Sequence, residues 1–317
     1  MDTKESGNIE KVEVIKEETK KVKPIIFQKR DQDLLMDLYR LQWLDVEYLE
    51  KYIYKDCSKQ FIYRRMNRLE AEDYIQTFRI PVMTPKPTAQ SKNVYALAKR
   101  GALEVKALAG DVDWRIDIVN RTPQHVHHQL LVAHIKGTFY EDLEDEERVP
   151  KNENFEMVQY LSEKLGYFKF EPTLYPNYKG SDSVFTIRPD GVVILQNKKT
   201  GNCAPFMLEL ERSFQSKETT QEKLNRYNLY SKMGLYKEHR SYDYPVGKPR
   251  ILFVSYSQKG IKRLINHSKE DYVDTSSLNG VLFTTYDQLV NDPYGKIFYG
   301  LHSTDPNALY SLTSKIE

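Results

Sequence analysis

Three carboxylates flank two apolar segments in the second half of the chain. Asp190 stands directly before one segment, and Glu209 and Glu211 close the next. Side chains two residues apart on a strand point to the same face, so Glu209 and Glu211 are expected to share one face. If the two segments pair as a hairpin through a turn at 197–202, Asp190 lies beside Glu209. The spacing therefore predicts three carboxylates at one edge of a sheet.

Such a cluster predicts metal chemistry. Neighbouring carboxylates are costly unless a proton or a cation neutralises them. Oxygen ligands at this density suit Mg²⁺ or Mn²⁺, which activate water and stabilise the charge of a phosphoryl group. We expect Asp190 and Glu209 to bind the metal, and Glu211 to be a further catalytic residue. The alternative is that the two glutamates only pair with Arg188 and Arg212, and exposed pairs of that kind contribute about 0–1 kcal/mol.

A second set of functional candidates is cationic and lies nearer the N-terminus. From Cys57 to Leu69 the chain has one lysine and three arginines but no acidic residue, and Ser58 is expected to cap a helix there. A helix that enters the major groove of DNA needs cationic and polar side chains on its exposed face. Arg binds guanine, and Gln or Asn binds adenine. The alternative is a solvated face on a small helical domain that binds protein. The residues expected to contact DNA are Ser58, Lys59, Gln60, Tyr63, Arg64, Arg65, Asn67 and Arg68.

The elements around this segment predict a winged helix-turn-helix. Leucines spaced three and four apart in 34–41 give a first helix one apolar face, and Asp45 is expected to cap a short second helix. After the third helix, β-forming segments at 74–80 and 93–97 are separated by a loop that contains proline and serine, and a helix at 99–109 follows. Helix, helix, helix, strand, loop, strand is the order of a winged helix.

The second half of the chain predicts a mixed sheet covered by helices, which makes the fold class α/β (α+β). A meander followed by strand-helix-strand-helix-strand leads to this architecture. The expected strands lie at 168–174, 184–187, 191–195, 205–210, 251–256 and 281–285. The expected helices lie at 127–143, 155–165, 219–233 and 259–267. The predicted organisation is a disordered tail, a winged-helix domain, a connector with a long helix, and an α/β domain, at 1–24, 25–110, 111–150 and 151–317.

Composition limits the classes of function. The net charge is only +2 over 317 residues, which excludes a uniformly basic coat, so any affinity for DNA has to come from local patches. No apolar run is long enough to span a membrane, and the N-terminus lacks the apolar core of a signal peptide. Cys57 and Cys203 do not have the spacing of a zinc site or of a disulfide framework. We therefore expect a cytoplasmic protein without a membrane partner.

The carboxylate motif resembles a nuclease signature. Pro189-Asp190, a gap, and Glu209-x-Glu211 are similar to the PD-(D/E)xK motif, and the resemblance implies a restriction-endonuclease-like α/β domain with Mg²⁺ or Mn²⁺ as cofactor if the site is active. Glu211 occupies the position of the motif's Lys. In some members of that superfamily the Lys lies on the following helix, where this chain offers Lys217 and Lys223. We expect Lys223 to be the catalytic lysine of such a site.

The chain as a whole resembles the replication-relaxation family of plasmid and mobile-element proteins, over about 28–303. The resemblance rests on the winged helix, the His-rich segment 127–133, Arg188-Pro-Asp190-Gly, the strand 208–212 running into 223–227, and Val281-Leu-Phe-Thr-Thr-Tyr-Asp-Gln-Leu with Asp292-Pro-Tyr-Gly after it. It implies binding of double-stranded DNA in plasmid replication, relaxation or mobilisation. Partners left open are a relaxase or a replication initiator, and a second copy of the chain as a homodimer.

His125-Val-His127 offers a competing interpretation. A His-hydrophobic-His pair is the metal-binding signature of the HUH endonucleases, but that pair belongs on a central strand, whereas Pro123 and the helical spacing predict the first turn of a helix. Three functions therefore stay open. They are a DNA-binding accessory protein with a degenerate nuclease-like domain, a metal-dependent endonuclease or nickase, and a winged-helix transcription regulator with a dimerisation domain.

Overall fold

The computed structural model describes residues 25–81, 91–110, 114, 121–142, 148–150, 152–175, 183–211, 215–269, 273–305 and 307–314. The predicted tail at 1–24 and Arg212 lie outside the described residues.

Three helices and a small sheet form the N-terminal region, and a fourth helix follows. The elements are α1 (Lys29–Leu41), β1 (Leu44–Asp45), α2 (Val46–Tyr48) with a π-helical turn (Leu49–Ile53), α3 (Lys59–Ala71), β2 (Ile75–Pro81), β3 (Ser91–Leu97) and α4 (Lys99–Ala109). Both β1 and β2 pair antiparallel with β3, which gives the order β1-β3-β2. This element order is the one that the winged helix-turn-helix requires, and the winged helix-turn-helix itself stays a prediction.

Short-range sequence signals explain where these elements begin and end. The leucines of α1 are buried on one face, as their spacing predicts. The Asp45 carboxylate accepts a hydrogen bond from the Tyr48 amide at 3.0 Å, and the Ser58 hydroxyl accepts one from the Phe61 amide at 3.2 Å. Both expected N-caps are therefore confirmed. Gly110 ends α4 with a φ of 85°, a left-handed conformation that glycine adopts without strain.

The remainder of the chain is built around a large sheet. Its elements are α5 (Pro123–Gly137), β4 (Tyr140–Asp142), β5 (Arg148–Pro150), β6 (Phe155–Ser162), α6 (Glu163–Gly166), β7 (Phe168–Phe170), β8 (Phe185–Ile187), β9 (Gly191–Asn197), β10 (Cys203–Glu211), α7 (Lys217–Lys232), β11 (Arg250–Ser255), α8 (Gln258–Ser268), β12 (Val281–Thr285), α9 (Tyr286–Asn291), β13 (Phe298–Gly300) and β14 (Leu309–Tyr310). Within the described ranges, no helix has the length and apolar character needed to cross a membrane.

The sheet has seven strands in the order β14-β13-β12-β11-β10-β9-β6. β6, β9 and β10 form an antiparallel meander, and β10, β11 and β12 run parallel. The crossovers between the parallel strands contain α7 and α8. The α/β class is therefore confirmed, and so is the expected strand-helix-strand-helix-strand. The expected meander was wrong in its members, because β7 and β8 pair with each other in a separate two-stranded sheet and β6 pairs with β9 in their place.

The core covers both faces of this sheet. One apolar cluster joins the N-terminal helices, α5 and one sheet face, and includes Leu38, Leu69, Val132, Leu208 and Leu252. The cluster on the other face packs under α7 and α8 and includes Met207, Leu224, Phe253 and Leu264. Side chains alternate along β10, so Leu208 faces the first cluster while Met207 and Glu209 face α7.

Three predicted elements were wrong in type or extent. The segment expected as a helix at 155–165 is mainly β6, because a bulge between Met157 and Gln159 resets the alternation and leaves buried residues at helical spacing. The helix expected at 127–143 is α5, which begins at Pro123 after the cap Thr122 and ends at Gly137. The strand expected at 168–174 stops at Phe170, because a 3₁₀ turn starts at Pro172.

Candidate functional site

The hairpin of β9 and β10 brings Asp190 to Glu209, as the sequence predicts. The turn is closed by a hydrogen bond from the Asn197 amide to the Asn202 carbonyl at 2.9 Å, and the paired register ends at Gly191 opposite Leu208. One residue further on, the Asp190 amide donates to the Leu208 carbonyl at 2.9 Å. The Asp190 carboxylate in turn accepts from the Leu210 amide at 2.7 Å. We call Asp190, Glu209 and Glu211 the carboxylate edge.

Glu209 is buried under α7 with two partners from that helix. Its carboxylate accepts from the Lys223 ammonium and from the Tyr227 hydroxyl, each at 2.6 Å. Burial raises the pKa of Glu209, although the charge of Lys223 acts against this shift. Burial is the largest single influence on the pKa of Lys223 and acts to lower it. The charge and hydrogen bond of Glu209, together with the charges of Asp190 and Glu211, outweigh burial, and the net shift is upward. Of the two lysines expected on this helix, the structure therefore brings Lys223 to the carboxylates.

Glu211 faces the next helix, α8. Its carboxylate lies 2.5 Å from the Arg263 guanidinium and accepts from the Gln215 amide at 3.1 Å. Only 3% of the Glu211 side chain is exposed. The alternative partner Arg188 lies instead near Glu163, at 3.7 Å. Among the described residues, the cations paired with the two glutamates thus come from α7 and α8, and of these only Lys223 was expected near the carboxylates.

Asp190 has a partner that the sequence analysis missed. The His128 ring nitrogen Nε2 lies 2.8 Å from the Asp190 carboxylate, and both side chains are mostly buried, at 16% and 20% exposure. His128 comes from α5, 62 residues earlier in the chain. The only signal for it was the cluster of histidines at the start of this helix. The contact fixes one end of α5 on the carboxylate edge.

The donor set of this edge, as placed, does not fit a divalent metal ion. Each carboxylate already has a basic partner from the chain: His128, Lys223 or Arg263. Among the described residues, no group of three or more His, Cys, Asp or Glu side chains is arranged to hold a metal. The charges of the two glutamates are thus neutralised by the cations Lys223 and Arg263, and a metal would have to displace the partner of each carboxylate. The expected roles of Asp190 and Glu209 as metal ligands have no support in this geometry.

The other group of candidates lies on α3. Ile62, Met66 and Leu69 are buried, which leaves the opposite side of the helix in solvent. We call the following exposed residues the α3 face: Ser58, Lys59, Gln60, Tyr63, Arg64, Asn67 and Arg68. Lys59 lies 3.2 Å from Glu50, but both side chains are largely exposed, so the pair is weak. The α3 face carries three cations and no acidic residue.

Arg65 is the exception among the predicted DNA contacts, and its assignment is corrected. Its guanidinium lies 2.5 Å from the Asp31 carboxylate and donates to the Ile26 carbonyl at 3.0 Å. Asp31 is fully buried and also accepts from the Tyr54 hydroxyl at 2.8 Å. The exposed fraction of the Arg65 side chain is only 12%. Arg65 therefore holds α3 to α1 and does not point toward solvent.

The histidine pair at 125 and 127 lies on a helix. Both residues belong to α5, in its first turns, so the strand geometry of an HUH site is absent here. The edge of the His125 ring packs on Trp43, and burial lowers the pKa of His125. His134, two turns later, lies 3.4 Å from Asp45. These contacts agree with the interpretation of the helix as a packing element.

Comparison with known proteins gives one match. A family model described as replication-relaxation matches residues 35–242. The match contains the α3 face and all three residues of the carboxylate edge, and it ends before β11 and α8. No curated protein and no solved structure matches the chain.

Proposed function

This chain belongs to the replication-relaxation family, and we propose that it is a sequence-specific binder of double-stranded DNA. The family indicates a role in the replication or relaxation of plasmids or mobile elements. The observation that carries the proposal is the α3 face, where three cations and four polar or aromatic side chains share one side of a capped helix. A helix of this kind, joined to a hairpin, can be placed in a major groove.

Charge placement supports DNA as the ligand of α3. The net charge of +2 gives the protein little general attraction for phosphate, so affinity has to come from a local patch. Arg64 and Arg68 provide cations for phosphates or guanines, and Gln60 and Asn67 provide amides that suit adenine. The proposed partners are plasmid duplex DNA and a relaxase or replication initiator bound to the same DNA.

For the α/β domain we propose a binding role and not a cutting one. Lys223 and Arg263 pair with the two glutamates, and the His128 ring holds Asp190, so a metal would have to displace a partner from each carboxylate. The domain then serves as a platform that orients α3 and any partner protein. This supports the accessory protein over the nuclease.

The duplex proposal is tested by anisotropy titration of labelled plasmid fragments. We expect the double variant Arg64→Ala/Arg68→Ala to bind about 10-fold to 100-fold more weakly and to lower the slope of log K against log salt by about 2, because two cations are removed. The matched control is Arg240→Ala, an exposed arginine of the other region. Equal affinity and an equal salt slope for wild type and double variant would refute binding through the α3 face.

A metal-dependent endonuclease or nickase is the second candidate. It is favoured by Lys223, which lies 2.6 Å from Glu209 and comes from the helix where the nuclease-like motif needs its lysine. Supercoiled plasmid incubated with the protein and Mg²⁺ or Mn²⁺ distinguishes the two functions. We expect no nicking. Nicking by the wild type that is lost in Asp190→Ala and Glu209→Ala would establish the enzyme instead.

A further inference from the structure

A polar cavity of about 510 Å³ opens beside the carboxylate edge. Gln42, which follows α1, and Arg121, which precedes α5, contribute to its lining from the N-terminal side. Lys164 and Tyr167 contribute from α6 and the residue after it, and Arg188 from the segment that leads into Asp190. The cavity therefore lies where the N-terminal region meets the α/β domain.

The lining is rich in cations. Arg121, Lys164 and Arg188 contribute three positive charges, against one acidic residue, Glu163. Glu163 already accepts a hydrogen bond from the Gln129 amide at 3.1 Å. Its ion pair with Arg188 is long, at 3.7 Å, and the Arg188 side chain is 60% exposed. Pairs of that kind are weak, so Arg188 can turn to an anionic ligand at little cost.

The other lining groups suit a nucleoside. Tyr167 is 43% exposed and carries an aromatic ring on which a base can stack. Gln42 and Gln129 carry amides that donate to and accept from base edges. Burial lowers the pKa of His125, which favours the neutral ring, and a neutral ring provides one donor and one acceptor. Cations, amides and an exposed ring together match a phosphate attached to a sugar and a base.

We infer that this cavity binds one phosphorylated nucleoside, with Arg121, Lys164 and Arg188 on the phosphate and Tyr167 against the base. Cavities of about 300–1,000 Å³ enclose ligands of this size, and a duplex does not fit. The nucleoside is therefore either a free nucleotide or an unpaired nucleotide within single-stranded DNA. This site is separate from the α3 face, and the inference does not depend on duplex binding.

Calorimetric titration of the full chain with dTMP, with a ten-residue thymidine oligonucleotide and with inorganic phosphate tests the inference. We expect dTMP, the oligonucleotide or both to bind, and phosphate alone to bind more weakly than either binding nucleotide. Arg188→Ala should weaken binding about 10-fold, because one charge-assisted hydrogen bond is lost. Tyr167→Ala should weaken the binding of the nucleotides but not the binding of phosphate. Binding of dTMP alone identifies a free nucleotide, and binding of the oligonucleotide alone identifies an unpaired strand.

Lys248→Ala is the control, because Lys248 is exposed and lies by a cavity at the opposite end of β10. The inference is overturned if none of the three probes binds at millimolar concentration, or if Arg188→Ala and Arg121→Ala bind nucleotide as well as Lys248→Ala does. It is also overturned if phosphate binds as tightly as the nucleotides. Duplex binding measured on the same samples distinguishes the two proposals. The Arg64→Ala/Arg68→Ala variant should bind duplex DNA more weakly but bind nucleotide normally, and Arg188→Ala should bind nucleotide more weakly but bind duplex DNA normally.

Discussion

The α3 face and the carboxylate edge contain similar numbers of charged residues, but these residues differ in exposure and in pairing. On the α3 face the cations are exposed, and the pair that Lys59 forms with Glu50 is a weak surface pair. At the carboxylate edge every carboxylate is paired with a basic side chain, at distances from 2.5 to 2.8 Å. Exposed charge of one sign is available to a ligand, whereas charge paired within the fold mainly positions the chain's own elements.

The consecutive residues Arg64 and Arg65 show the same difference between exposed and paired charge. Arg65 is paired with the fully buried Asp31, while Arg64 is exposed on the α3 face. We expect Arg65→Ala to lower the free energy of unfolding by about 3 kcal/mol, because Asp31 is left as a buried charge without its cation. Arg64→Ala should change it by less than about 0.5 kcal/mol.

Urea denaturation followed by circular dichroism measures both variants under the same conditions. If Arg64→Ala destabilised the protein as much as Arg65→Ala does, the distinction between the two arginines would be wrong, since Arg64 would then also be a structural residue. Asp31→Asn combined with Arg65→Ala provides a check, because removing both charges should restore part of the lost stability.

Lys223→Ala tests the internal pairing at the carboxylate edge. We expect a loss of about 2–3 kcal/mol at pH 7, somewhat less than for a fully buried pair, since Lys223 is 30% exposed. The pKa of Glu209 is raised in the folded state, so its contribution to stability is present below its ordinary pKa of 4.5 and is lost as the pH rises through the raised value. In the Lys223→Ala variant, the stability lost as Glu209 ionises should be larger.

The destabilisation by Lys223→Ala should therefore be small near pH 4 and increase toward pH 7. Unfolding free energies of wild type and variant at several pH values in this window give the difference directly, with Lys248→Ala as the exposed control. A difference that does not depend on pH would show that the lysine contributes packing and not charge.

Substitutions at Ser58 distinguish its role as the N-cap of α3 from its proposed role as a DNA contact. Its hydroxyl caps the helix, so Ser58→Ala should cost about 1 kcal/mol in unfolding free energy, and Ser58→Asp, which retains a capping oxygen, should cost little. For affinity to duplex DNA, Ser58→Asp should be the more damaging of the two variants, because its added negative charge repels phosphate. If Ser58→Asp binds duplex as well as the wild type in anisotropy titrations, this end of α3 does not contact DNA.

The smallest effect expected is that of a divalent metal. Because each carboxylate of the edge already has a partner from the chain, Mg²⁺ or Mn²⁺ at millimolar concentration should shift the melting temperature by less than about 1 °C, and EDTA should not lower it. Calorimetric scans with and without metal provide the measurement. A clear upward shift that disappears in Asp190→Asn would show that the edge rearranges to bind the ion.

Local patterns were enough to determine most of the elements and part of the carboxylate site. The caps at Asp45 and Ser58, the apolar face of α1 and the pairing of β9 with β10 depend on residues close in sequence, where spacing and turn chemistry act directly. The same pairing placed Asp190 beside Glu209. β6 was missed because its bulge imitates helical spacing, and only pairing with β9 makes it a strand.

The sequence by itself determined the α/β class, the basic surface of α3 and the approach of Asp190 to Glu209, because each follows from periodicity or from a short hairpin. Only the tertiary structure decided which charges are exposed and which are buried in pairs. Arg65 is 34 residues from Asp31, and His128 is 62 residues from Asp190, so no local spacing connects them. Those contacts depend on how helices pack on one another and on the sheet. That packing removed Arg65 from the α3 face and gave each carboxylate of the edge a basic partner from the chain.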